Sequence, residues 1–201
     1  MLQANGQNEI FFVDGAESSL NRLGKDALTS ASAHFLEIFD IRHEVDVYVS
    51  KRSVLHKIDS RAHAWHMPPS YDRENSIVCV YVDPETKIEK MIESLAHEMI
   101  HVWQVERGDF EGFIWKGRDL TNYPYNLQPW EIEAHSEMRN IANKFFTDDS
   151  LSQSEMKSIM DKTDLVFKEI EKEITSNFTK EKLIKIAKVA GAVGLGAIIG
   201  I

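Results

Sequence analysis

The chain has 201 residues, 43% of them hydrophobic and 27% charged, an ordinary globular composition that excludes a disordered, collagen-like or low-complexity protein. With 23 Lys and Arg against 32 Asp and Glu, the net charge is −9, so the basic footprint of a nucleic-acid binder is lacking and no nucleic-acid partner is expected. One cysteine, Cys79, excludes an intramolecular disulfide and a four-cysteine zinc ribbon, and reads as a small buried hydrophobe.

The opening residues, MLQANGQNEIFFVDG, hold no basic stretch leading into an apolar one, so a cytoplasmic location is expected. Ile10 to Val13 reads as a short strand closed by the Asp14-Gly15 turn. From Ser18 to Phe39 apolar residues recur at helical spacing, among them Leu20, Leu28, Phe35 and Phe39. Val45 to Val49 alternates like a half-buried strand, Ser60 to Asn75 with its Pro68-Pro69 reads as a loop, and Ser76 to Val82 is a strand rich in β-branched residues. Asp83 as N-cap and Pro84 in the first turn predict a helix running to Glu106, with Gly108 past its end. An aromatic-rich connection, Asp109 to Gln128, follows. Pro129 opens another helix to Phe146, Asp148-Asp149-Ser150 breaks it, and a polar helix covers Gln153 to Asn177. This order predicts an α+β fold, a small sheet with helices on one side. The expected organisation is a domain over 1–147, a helical extension over 148–180 and an apolar tail over 181–201.

The chemistry-bearing signal is His97-Glu98-Met99-Ile100-His101 in the middle of a helix. Random order of this composition would give such an HExxH pattern about 0.03 times. Four residues of helix leave the two imidazoles about 40° apart, so both project from one face and can bind the same Zn²⁺. Glu98 starts on the adjacent flank, placed to take a proton from an attacking water and deliver it to a leaving amine. A catalytic zinc needs a third protein ligand and one open position. Pro129-Trp130-Glu131-Ile132-Glu133-Ala134-His135 supplies the candidates. Glu131 and His135 share a helix face, so Glu131 is the expected third ligand and His135 a supporting partner or transition-state donor. Glu133 and then His135 are the competing ligands. As acidic residues near a helix N-terminus, either glutamate alone would also serve the helix dipole.

The segments SLAHEMIHVWQ (94–104) and PWEIEAH (129–135) resemble the active-site helix of SprT-like and related minimal zincin metallopeptidases and the glutamate helix of gluzincins. The resemblance covers about residues 76–146 and is specific over those two segments. It implies a zincin-like domain with one Zn²⁺ per chain, Glu131 as ligand, Glu98 as general base, and a protein or peptide substrate. The chain departs from SprT-like proteins in having no histidine between His101 and His135. Their DNA-linked biology is therefore not carried over.

Weaker features frame the alternatives. His63 and His66, three apart beside the prolines, read as loop or cleft-lining residues or a second metal site. Tyr123 and Tyr125 are phenols that could serve an oxyanion, and more simply packing anchors. Trp103 and Trp115 read as core or cleft-wall residues. From Val189 to Ile201 no residue is charged, and Lys182, Lys185 and Lys188 precede that run. As a helix it would span about 20 Å against a hydrocarbon core of about 30 Å. It is read as a membrane-contacting tail or, through Ala192, Gly196 and Gly200, a self-associating one. Against the peptidase stands a catalytically silent, membrane-associated metal-binding protein, and hydrolysis of a non-peptide amide would use the same zinc chemistry.

Overall fold

Alternation sets the middle of the sheet. The computed structural model describes residues 9–13, 15–51, 64–70, 74–82 and 87–176. Strand β2 (Val45–Lys51) buries Val45, Val47 and Val49 and leaves Asp46 and Tyr48 half-exposed. Beside it, β4 (Ser76–Val82) runs parallel, with Val47 opposite Val78 and Val49 opposite Val80. Strand β1 (Ile10–Phe12) adds in parallel to the other edge of β2. Strand β3 (Ala64–Met67) pairs antiparallel with β4, giving the order β1-β2-β4-β3 among the described residues. The stretch from Ser60 to Asn75, expected to be a loop, therefore contains a strand. Its four residues are too few to show a period, and the neighbouring Pro68-Pro69 masks them.

The expected helices form, the first two with later starts and the last two at Pro129 and Gln153 as expected. A short 3₁₀ turn, Ala16–Ser19, precedes helix α1 (Arg22–Ile38), which begins where the Asn21 side chain accepts from Gly24 N at 2.8 Å. Its apolar stripe (Leu28, Ala31, Phe35 and Leu36) is buried. Helix α2 (Ile88–Glu106) starts after Lys87, about a turn later than its cap signals indicate, while Asp83 and Pro84 lie outside the described residues. It ends in a Schellman motif: Gly108 N donates to Val105 O and Asp109 N to Gln104 O. Gly108 sits at φ +73°, the left-handed conformation this stop requires and glycine adopts without strain.

The connection after α2 is more ordered than its sequence indicates. It folds as a three-stranded antiparallel sheet of β5 (Phe110–Glu111), β6 (Ile114–Trp115) and β7 (Arg118–Asp119). Helix α3 (Pro129–Thr147) follows with Pro129 in its first turn. Helix α4 (Gln153–Ser176) closes the described chain. Reciprocal bonds between Ser152 and Glu155 form a capping box at its start.

The elements meet in one α+β core: Val47, Val49, Val78 and Val80 from the sheet join Phe35, Leu95, Met99 and Ile141 from α1, α2 and α3. Ile159 of α4 belongs to the same cluster, so α4 packs on the sheet–helix unit. A second cluster of Trp115, Leu120, Trp130 and Phe167 ties the small sheet to α3 and α4. Cys79 is buried, as its composition suggests. No helix among the described residues is long and apolar enough to cross a membrane. The tail over 181–201, with both readings attached to it, lies outside those residues.

Candidate metal centre

Helix α2 lies between the sheet and α3, and every residue from Leu95 to Gln104 is buried. An apolar helix in that position is unremarkable, but this one carries His97, Glu98, His101 and Gln104 inside, facing Glu131 and Glu133 of α3. Burying such groups costs several kcal/mol each, on the order of 2–7, unless partners compensate, so the partners decide what the cluster is for.

Four side chains converge. His97 Nε2 and His101 Nε2 stand 3.2 Å apart. Glu131 reaches both, Oε1 at 3.4 Å from His101 Nε2 and Oε2 at 3.5 Å from His97 Nε2. His135, one turn on from Glu131, brings its Nε2 to 3.6 Å from Glu131 Oε2, and its ring centroid is 4.4 Å from that of His97. His97, Glu131 and His135 offer ligand atoms within 4.8 Å of one another and could hold a metal ion. His101 extends the group, so two triads share the His97–Glu131 edge.

The residues fit a metal. Donors bound tetrahedrally to one Zn²⁺ at its usual bond lengths lie about 3.3–3.6 Å from one another, and these contacts run from 3.2 to 3.6 Å. Glu131 Oε2, His97 Nδ1 and His135 Nδ1 are buried and have no hydrogen-bond partner. Lone pairs gathered this closely require positive charge among them, a proton or a cation. Without a metal the proton serves. Burial opposes charging His101, but the Glu131 carboxylate outweighs it, with help from Glu98 and Gln104, and raises the imidazole to about 9. Burial likewise opposes ionising Glu131, and the nearby imidazoles of His101 and then His97 hold its carboxyl far below the usual range. Burial, then the nearby His97, pushes His135 down to about 3 and keeps it neutral.

Glu98 differs from its neighbours. It is 6% exposed and has no hydrogen-bond partner among the described residues. Burial raises its carboxyl above the usual range against the pull of His97 and His101. A carboxylate raised in this way is a stronger base than an ordinary one, as a proton acceptor requires.

Glu133, the competing ligand, is engaged elsewhere: wholly buried, it accepts from Gln104 Nε2 at 2.9 Å and from Arg107. Tyr123 packs on Phe167 at 5.8 Å, and Tyr125 is largely exposed. Trp103 stacks on Phe39 beneath the Arg107 guanidinium, and Trp115 is buried. His66 on β3 lies 3.4 Å from Ser76 Oγ, its ring stacked at 6.2 Å from His101, while His63 is outside the described residues. Sequence reasoning passed over Gln104, whose Oε1 lies 2.8 Å from His101 Nδ1. Its signal was available: three residues past His101 and seven past His97, it falls within about 60° of both on the helix. No protein-family model, curated protein or solved structure matches the chain, so the likeness to zincins rests on residues 94–104 and 129–135.

Proposed function

We propose that the chain is a zinc-dependent metallopeptidase of zincin-like fold. The observation that carries this reading is the buried convergence of His97, His101 and Glu131 at 3.2–3.5 Å, with the unpartnered carboxylate of Glu98 beside them. In this reading His97 and His101 supply imidazole nitrogens and Glu131 a carboxylate oxygen, the donor set suited to Zn²⁺. An ion held there would supply Lewis acidity toward a carbonyl and would lower the pKa of a water to about 7. Glu98 takes the proton of the attacking water and returns it to the departing peptide nitrogen. His135, neutral and adjacent, donates a hydrogen bond to the oxygen that gains charge as the carbonyl is attacked. His101 is preferred over His135 as ligand because its second nitrogen is held by Gln104, whereas that of His135 is unpartnered. Phe110, its ring centroid 6.3 Å from that of His101, stands at the border of the cluster.

One observation favours a second reading. If His135 also binds the ion, the four-donor shell is closed, as in structural zinc sites, and the protein is a catalytically silent metal-binding one. Hydrolysis of fluorescently labelled casein separates the two. The zinc-loaded wild type cleaves it, and Glu98→Gln lowers the rate by about 10²–10⁴-fold while keeping its zinc. Equal rates for the two proteins would refute the assigned role of Glu98, and a zinc-loaded wild type inert toward peptides would favour the closed site.

A further inference from the structure

Gln104 is wholly buried one turn beyond His101, and all of its amide is used. Its Nε2 donates to Trp130 O at 3.0 Å and to Glu133 Oε2 at 2.9 Å. Both partners are acceptors, so the amide cannot be turned over without setting its oxygen against them. The oxygen therefore faces His101 Nδ1, at 2.8 Å. An amide oxygen only accepts, so Nδ1 must carry the hydrogen. A neutral His101 then has its lone pair on Nε2, the atom 3.2 Å from His97 Nε2 and 3.4 Å from Glu131 Oε1.

The geometry points to Gln104 as the positioning residue of the metal centre: braced by Trp130 and Glu133 of the facing helix, it fixes His101 in the Nδ1–H form and aims Nε2 at the ion. This inference rests on the metal-binding reading above and adds to it how the site is prepared. The bracing is itself buried. Arg107 gives Glu133 its counter-charge, lies 4.0 Å over the Trp103 ring and bonds Asp109 at 2.6 Å. Trp130 and Glu133 flank Glu131 in sequence, so the same amide also sets the spacing of the two ligand-bearing helices. Neither His97 nor His135 has a comparable tie, since Nδ1 of each is buried without a partner.

The test compares zinc-loaded wild type with Gln104→Leu and Gln104→Met, which keep most of the side-chain volume and remove both donor and acceptor. Zinc affinity is measured by chelator competition, and the tautomer by NMR on protein carrying ¹⁵N-histidine. The wild type shows a slowly exchanging Nδ1–H on His101. Each variant loses that protection and binds zinc about 10–100-fold more weakly. A folded variant with unchanged affinity and an unchanged Nδ1–H signal would overturn the inference and leave the metal reading intact. So would a zinc-loaded wild type whose His101 carries its hydrogen on Nε2. A wild type that takes up no zinc would overturn both together.

Discussion

Replacing Arg107 by Met tests the brace behind the site without touching a ligand. Arg107 is 12% exposed and Glu133 is wholly buried, and among the described residues the carboxylate has only Arg107 and Gln104 as donors. Without the guanidinium a buried carboxylate keeps a single neutral N–H. Breaking such a pair costs about 3–5 kcal/mol, whereas an exposed pair is worth about 0–1 kcal/mol. The bond to Asp109 is lost as well, leaving that carboxylate Lys116 at 3.9 Å, while Met preserves part of the packing on Trp103. Urea unfolding in chelator-treated buffer measures the effect without linkage to metal. With a slope of about 2 kcal/mol per M, the midpoint falls by about 1.5–2.5 M. Adding Glu133→Gln to Arg107→Met should recover part of that loss, because an amide is less costly than an uncompensated charge. A midpoint shift below about 0.5 M, or losses that simply add in the double variant, would refute the buried-pair reasoning.

Other outcomes follow from the same geometry. His135→Ala should leave zinc bound while slowing peptide hydrolysis at least about 10-fold, as expected for lost transition-state stabilisation; zinc released in chelator competition would make His135 a ligand instead. Leu95→Ala, at a fully buried position facing the core, should cost about 2.7–5 kcal/mol in a zinc-free urea titration, and a loss under about 1 kcal/mol would contradict the packing described. Glu155 is lowered from 4.5 to about 2, first by its bond from the Ser152 hydroxyl, then by the Ser152 backbone and Lys144. Because its folded-state value is depressed, its stabilisation is complete above pH 4.5 and fades as pH falls toward 2. The stability gap between wild type and Glu155→Gln should therefore narrow across that window, and a gap independent of pH would exclude the capping box.

The sequence made most of the scaffold legible through local signals. Val45, Val47 and Val49 announce β2 by alternation, and Pro129 marks the start of α3. Strand β3 was hidden because its existence depends on pairing with β4, with Trp65 opposite Cys79, and no period can emerge from four residues. The two-residue strands after α2 lie below any pattern. At the site, helical spacing foretold that His97 and His101 share a face, and that Glu131 and His135 share another. What it could not foretell was that Gln104 would meet Trp130 and Glu133, because those contacts span 26 and 29 residues and arise only when α2 and α3 pack. The same packing resolves the two glutamates of α3: Glu131 faces the histidines, and Glu133 faces Gln104 and Arg107.

The central claim is that this cluster is a zinc site with Glu98 outside the ligand set. Its most direct test is the metal content of purified protein supplied with zinc, wild type beside His101→Ala and Glu98→Gln. The account predicts one zinc per chain in the wild type and in Glu98→Gln, and nearly none in His101→Ala. A wild type that takes up no zinc, or a His101→Ala protein that holds as much as the wild type, would contradict it.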